Sequence, residues 1–207
     1  MICLNDSLPP VASPAKNSQT MSPTVLNRVL EPHPDSKQSP LDVLEVGVIC
    51  VGPSRWQFRF RGGGDVASVC FPKANTPSRQ DLLWQHTCFE VFLMRSDNEY
   101  YEFNFAPSSQ WAAYCFASYR QGMREQELAS SPHINFESGT DSFILDATID
   151  LRGILDDDVR LYPGMGLAAV IEDANGQVTY WALAHPSGEP DFHHADSFVG
   201  ALPDNVG

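Results

Sequence analysis

Glu90, Glu102 and Asn104 stand inside two of the most apolar runs of the chain, CFEVFLM (88–94) and YYEFNFA (100–106). A carboxylate or amide in such a run is costly to bury unless it is paired or hydrogen-bonded. Strand alternation puts Phe89, Val91 and Leu93 on one face and Cys88, Glu90, Phe92 and Met94 on the other. Likewise Tyr101, Phe103 and Phe105 oppose Tyr100, Glu102, Asn104 and Ala106. If the loop RSDN (95–98) closes a hairpin, Met94 faces Tyr100, Phe92 faces Glu102 and Glu90 faces Asn104. The three polar side chains stay co-facial under any register shift by two. Acceptors for hydroxyl groups beside flat rings are what a sugar site uses. The competing reading is an ordinary solvated sheet face, or pairing of these groups with Arg120 or Arg124.

The next run, WAAYCFASY (111–119), alternates Trp111, Ala113, Cys115 and Ala117 with Ala112, Tyr114, Phe116 and Ser118. If Tyr114 and Phe116 join the core, the outer face carries small residues after Trp111 and leaves room for a ligand. Trp56 and Trp181 lie in strand-like runs and suit core or edge packing.

The segment YWALAHPSGEPDFHHADSF (180–198) holds three of the six histidines, His185, His193 and His194. Adjacent residues of an extended chain point apart, and neither an HExxH motif nor an i,i+4 histidine pair is present. A histidine metal site is therefore poorly supported. These histidines read as loop locks, oriented by Asp191 and Asp196, with one reaching a ligand. No GxSxG elbow accompanies them. GGGD (62–65) lacks the Lys and helix of a phosphate loop and reads as a turn. The Asp156–Asp157–Asp158 run offers hard oxygen ligands for calcium without the spacing of a calcium loop. Glu90 and Glu102 could form a glycosidase pair, but a sheet face is a poor pre-organised cleft, and that is the least favoured role.

The 207 residues suffice for one domain with a real core, and 43% are apolar. With 26 acidic against 13 basic residues the net charge is -13, which repels phosphate backbones and excludes ordinary nucleic-acid binding. Five scattered cysteines without a CxxC pair favour a reducing compartment. No run approaches the length of a membrane helix and no secretory signal is read, so the expected location is cytoplasmic. Nothing in the sequence speaks to the oligomeric state.

Residues 1–27 are rich in Pro, Ser, Asn and Thr and read as a disordered extension, within which Met21 is an alternative start to Met1. A single domain then spans 28–203, followed by a tail at 204–207. Strands are expected at 43–51, 56–61, 66–71, 88–94, 100–106, 111–119, 143–151, 166–173 and 178–184, with turns at GGGD, RSDN and DANG (173–176). A short helical turn fits DLLW (81–84) or the REQEL region. Many short alternating strands predict an all-β fold, a sandwich or a barrel.

The blocks LWQHTCFEVFL, YYEFNFAPSSQWAAYCFASYRQGM, YWALAHP and PDFHHADSF, in this order, resemble the bacterial DOMON-like proteins, a group related to family 9 carbohydrate-binding modules. The resemblance runs over about residues 30–203 and implies a two-sheet antiparallel β-sandwich. In family 9 modules a sugar lies between tryptophan rings, with a Trp six residues ahead of a Glu that enters a strand. Trp84 and Glu90 have that spacing, and Glu102 and Asn104 follow in the next strand. The resemblance thus implies a non-catalytic sugar binder with no cofactor. Trp84 stacks on the ring, Glu90, Glu102 and Asn104 bond hydroxyls, and His185 and His193 form the rim. Trp181, Phe192 or Trp111 would supply the second ring. Other DOMON domains bind haem, for which Met94, Met123, Met165 and the C-terminal histidines would be the ligands. A purely structural or interaction domain is the remaining alternative.

Overall fold

A computed structural model describes residues 25–36, 38–52, 54–95, 98–154 and 164–202. The described residues form eleven antiparallel strands: β1 (Val25–Pro32), β2 (Leu41–Gly52), β3 (Arg55–Gly64), β4 (Cys88–Met94), β5 (Tyr100–Phe105), β6 (Trp111–Phe116), β7 (Arg124–Glu125), β8 (His133–Ser138), β9 (Ser142–Asp150), β10 (Gly164–Glu172) and β11 (Val178–Ala182). Their order is β7-β6-β5-β4-β10-β11-β1-β2-β3-β9-β8. β1 splits this series into two layers. Its residues Val25–Leu30 pair with β2, whereas Glu31 and Pro32 pair with Ala182 and Trp181 of β11. Pro32 fits this changeover because proline cannot donate to a ladder and is tolerated at an edge or a strand end.

The inward faces of both layers meet in one core. Val46, Val48, Phe58, Phe60, Leu145 and Ala147 come from the β1-β2-β3-β9-β8 layer. Phe89, Val91, Leu93, Phe103, Phe105, Leu167 and Ala169 come from the other. Phe60 and Phe89 touch across the gap with ring centroids 4.9 Å apart. The fold is therefore the two-sheet antiparallel sandwich that the resemblance implied, one of the two all-β forms that the alternating pattern allowed. Among the described residues no helix is long and apolar enough to cross a membrane.

Several local expectations need correction. VASVCF is not a strand: Val66–Ser68 form a 3-10 turn and Val69 makes a single bridge to Asp173. GGGD is not a hairpin turn, since Gly62–Gly64 continue β3 paired to β2, and Gly62 and Gly63 also pair with β9. β1 begins at Val25, inside the segment expected to be disordered, and residues 1–24 lie outside the described residues, as do 203–207. β8 had no counterpart in the sequence reading. Arg124–Glu125 of the REQEL region is strand, and the helical turn falls at Leu83–Gln85.

Gly62 shows why glycine is needed in β3. It pairs with Phe143, and any Cβ at Gly62 would run into the Phe143 ring. That ring also packs on Phe71, Phe89 and Phe136, so it has little room to give. Overpacking of this kind costs roughly 1–3 kcal/mol. Gly62→Ala should therefore lower the melting temperature by several degrees, while Gly176→Ala, whose Cβ meets nothing within 4 Å but whose φ is +74°, should cost less. Differential scanning calorimetry of the two variants checks the order, and equal losses would contradict it.

Candidate functional site

β4 and β5 pair in the expected register, with Met94 opposite Tyr100, Phe92 opposite Glu102 and Glu90 opposite Asn104. Their apolar sets enter the core, so Glu90, Glu102 and Asn104 share the outer face of this layer. β6 sits the other way round from the expected orientation. Ala112 pairs with Asn104, Tyr114 with Glu102 and Phe116 with Tyr100, so Tyr114 and Phe116 join the polar face. Trp111, Ala113 and Cys115 point into the core instead. On the far side of β4, Glu90 pairs with Ala168 of β10, which in turn pairs with Ala182 of β11. One row across five strands therefore reads Ala112, Asn104, Glu90, Ala168, Ala182. The small residues expected beside the carboxylate are present, but β6, β10 and β11 supply them.

This face is not a solvated one. Phe92, Tyr100, Tyr114, Phe116, Val170, Phe192 and Phe198 form a second apolar cluster over it. Phe192 and Phe198 belong to the C-terminal segment, which crosses the face and is tied down at Gly200 by a pair of backbone bonds to Met165. Glu90 is 3% exposed, Glu102 4% and Asn104 0%.

The polar groups beneath are linked unequally. The Asn104 side-chain amide donates to Glu102 Oε1 at 2.6 Å, and its carbonyl oxygen accepts from the Cys88 thiol at 3.6 Å. His193 Nδ1 meets the Tyr100 hydroxyl at 2.8 Å, and that hydroxyl accepts from the Arg120 backbone N–H at 3.1 Å. On the other side of the ring, His193 Nε2 lies 3.8 Å from Glu102 Oε2. Arg120 is turned to Asp191 at 2.8 Å, and Asp191 also accepts from the His193 backbone N–H at 3.0 Å. Glu90 Oε1, by contrast, is buried and has no partner.

Burial, together with the neighbouring Glu102 charge, pushes the Glu90 carboxyl well above the usual range. Burial likewise raises Glu102 to about 7, against the pull of the Asn104 amide and of Arg120. Burial lowers His193 to about 4, helped by the Arg120 charge, so its ring is neutral at neutral pH. Two carboxyl groups on adjacent strands in an apolar setting hold on to protons.

The other predicted site residues fall in three places. Trp84 stands in the Leu83–Gln85 turn, 46% exposed, next to Leu82, which is 53% exposed and held at φ +63°. A left-handed leucine is strained backbone, and such strain gathers where a loop must present a side chain. Trp111 and Trp181 lie in the inter-sheet core, so neither can be the second stacking ring. His185 donates from Nε2–H to the Glu31 carbonyl at 2.8 Å and leaves a buried Nδ1 without a partner. It lies toward the β1–β11 junction, with its ring 6.5 Å from that of Phe192. Phe192 does lie over the polar face, as one of the expected rings.

A cleft of about 340 Å³ opens beside this face, lined among others by Asp81, Leu82, Gln85, His86, Ser108 and Gln110. It touches neither carboxylate. Ala106, which follows Asn104 in the outward alternation of β5, also lines it. The sequence offered no periodic signal for these residues, since they come from two loops brought together by the fold.

The arrangement does not fit haem. Both His193 nitrogens face protein groups, Met165 is buried in the inter-sheet core and Met123 stands 62% exposed. Among the described residues no group of three or more His, Cys, Asp or Glu is placed to hold a metal. Asp156, Asp157 and Asp158 lie outside the described residues.

The raised carboxyls make stability pH-dependent. Above its ordinary value of 4.5 an unfolded Glu102 loses its proton, whereas the folded one keeps it to about 7. Its contribution, on the order of 3 kcal/mol at full extent, is lost as pH rises through that window. Glu90 acts in the same direction and extends the loss upward. His193 acts oppositely, losing stability as pH falls from 6.5 to about 4. Above pH 6.5 only the acids remain. The melting temperature should therefore fall between pH 6.5 and 8, and Glu102→Gln should flatten the fall. Superimposable pH curves for the variant and wild type would refute this assignment.

No protein-family model matches the chain, and no curated protein matches it. Among solved structures, a protein from Bacteroides uniformis ATCC 8492, provisionally described as carbohydrate-binding, is similar with a TM-score of 0.59 at 13% identity, over 84% of this chain and 84% of that one. A family 9 carbohydrate-binding module from Caldicellulosiruptor kristjanssonii, in complex with glucose, aligns with a TM-score of 0.40 at 13% identity, over 86% and 84%. The likeness to the Bacteroides protein is one of fold, the two-layer β-sandwich described above.

Proposed function

We propose that the outer face of the β6-β5-β4-β10-β11 layer binds a carbohydrate without transforming it. The observation that carries this reading is Glu90 Oε1, buried and unpartnered on a face that also bears Glu102 and Asn104. A buried acceptor left unpaired costs about 1–3 kcal/mol, and a ligand that supplies a donor recovers it. A carboxyl that keeps its proton near neutral pH can both donate to and accept from a hydroxyl. Trp84 is the exposed ring nearest in sequence to this floor, and it offers a flat face for the C–H side of a pyranose. His193 closes the floor on the C-terminal side, and His185 marks its far rim.

Three further points support the reading. The resemblance to DOMON-like proteins and family 9 modules rests on the blocks that build this face. The sandwich is similar to that of a protein provisionally described as carbohydrate-binding. Glu90 and Glu102 also project from the same side of one sheet. They cannot flank a glycosidic bond from opposite sides, which speaks for binding rather than hydrolysis.

Isothermal titration calorimetry with glucose, xylose and short β-linked glucans tests the proposal. Wild type should bind at least one of them. Trp84→Ala and Glu90→Gln should each weaken that binding by about 10-fold or more. Glu45→Gln, on the other layer, should leave it unchanged. Absence of heat with every sugar, or full affinity in Trp84→Ala, would sink the reading.

A further inference from the structure

We infer that the floor at Glu90 and Glu102 is built for an amino sugar, a ligand whose ammonium group sits among the carboxylate oxygens. The inference rests on the carbohydrate reading and narrows it. Its basis is an inventory of what remains open on the face. The Asn104 amide is used within the floor, donating to Glu102 Oε1 and accepting from Cys88. Tyr100 is held between Arg120 N–H and His193. Tyr114, beside Glu102 on β6, donates its hydroxyl hydrogen to Asp81 at 2.6 Å. The Arg120 guanidinium is spent on Asp191. What is left over is carboxyl oxygen: Glu90 Oε1, with no partner at 3% exposure, and Glu102 Oε2, which has His193 Nε2 at 3.8 Å.

A neutral hydroxyl brings one hydrogen to this set. An ammonium brings three, and with them a positive charge that offsets the negative charge Glu90 takes on when it gives up its proton. The row around Glu90 is made of small side chains, Ala112, Ala168 and Ala182, buried with it under the second apolar cluster. A ligand carboxylate would find no free cation among the described residues of this floor, and ionising Glu90 or Glu102 beside it would add a like charge, so acidic sugars are disfavoured by the same geometry. The net charge of -13 attracts cationic ligands to the protein as a whole. The charged and titratable groups acting on Glu90 are Glu102 on β5, Cys88 on β4 and Arg120 after β6, with His193 on the C-terminal segment reaching Glu102 and Asp191 holding Arg120. With the Glu90 proton present beforehand, an incoming ammonium displaces it to solvent.

Calorimetry at pH 6.5 with glucosamine, glucose and glucuronate on the full chain decides the matter. Glucosamine should bind about 10-fold tighter than glucose, and glucuronate weaker than either. Repeating the titrations in buffers of different ionisation enthalpy should show proton release with glucosamine and none with glucose. Glu90→Gln should weaken both sugars and bring their ratio close to one. Glucose binding as tightly as glucosamine, or a ratio that survives in Glu90→Gln, would overturn the inference while leaving the carbohydrate reading intact. If none of the three sugars binds, the carbohydrate reading itself fails.

Discussion

Two carboxyl groups held on one apolar sheet face are the constraint around which this molecule is arranged. In water Glu90 and Glu102 would ionise independently. Beneath Phe92, Tyr114, Phe192 and Phe198 they cannot, because burial removes the solvent that stabilises each charge and each charge disfavours the other. Part of the cost is met locally. Asn104 spends its amide on Glu102, and Arg120 lends a distant positive field. Glu90 receives nothing comparable, and its Oε1 stays unpaired. A sequence selected for stability alone would place an apolar residue there. Keeping an acid there is costly, and the proposed ligand site is the role that would offset the cost.

The rest of the fold serves that face. The inter-sheet core fixes β4 and β5 in a single register, because a slip by one residue would turn Glu90 and Glu102 inward. β1 crosses from one layer to the other and binds β11 to the sandwich at the side where His185 bonds the Glu31 carbonyl. The C-terminal segment roofs the face with two phenylalanines. It is positioned by Asp191, whose carboxylate gathers Tyr119, Arg120 and the His193 backbone, and whose carbonyl takes Ser197. Trp84 is presented from the opposite border on a turn whose entry residue is a strained leucine. Floor, roof and exposed ring come from separate stretches of chain.

How much of this was legible in the sequence depends on how local the signal is. The β4–β5 pairing was readable to the residue, since period-two alternation and a short connecting loop leave few registers open. The co-facial Glu90, Glu102 and Asn104 followed directly. β6 was misread because both of its faces are buried: Trp111 and Cys115 on one side are as apolar as Tyr114 and Phe116 on the other, so alternation alone carries no direction. The second apolar cluster was invisible for a related reason. It joins side chains from positions 92 to 198, and no window of sequence contains it. Gly62–Gly64 looked like a turn, yet Gly62 is glycine to admit the Phe143 ring. The start of β1, Val25–Asn27, fell in the expected tail because residues 1–27 are rich in Pro, Ser, Asn and Thr, and the rest of β1 was not read as a strand. It is held as a strand by its ladder to β2. Trp111 and Trp181 were tempting as stacking rings by residue type, and only the direction of their strands places them in the core.

The central claim is that this one face, and no other, meets the ligand. Amide chemical-shift mapping by NMR during titration with an amino sugar or a neutral hexose tests it most directly. The account predicts that the largest changes cluster at Trp84, Glu90, Glu102, Asn104 and His193, with the β2, β3 and β9 amides still. Changes concentrated on the β2-β3-β9 layer, or confined to the cleft at Ser108 and Gln110, would contradict it.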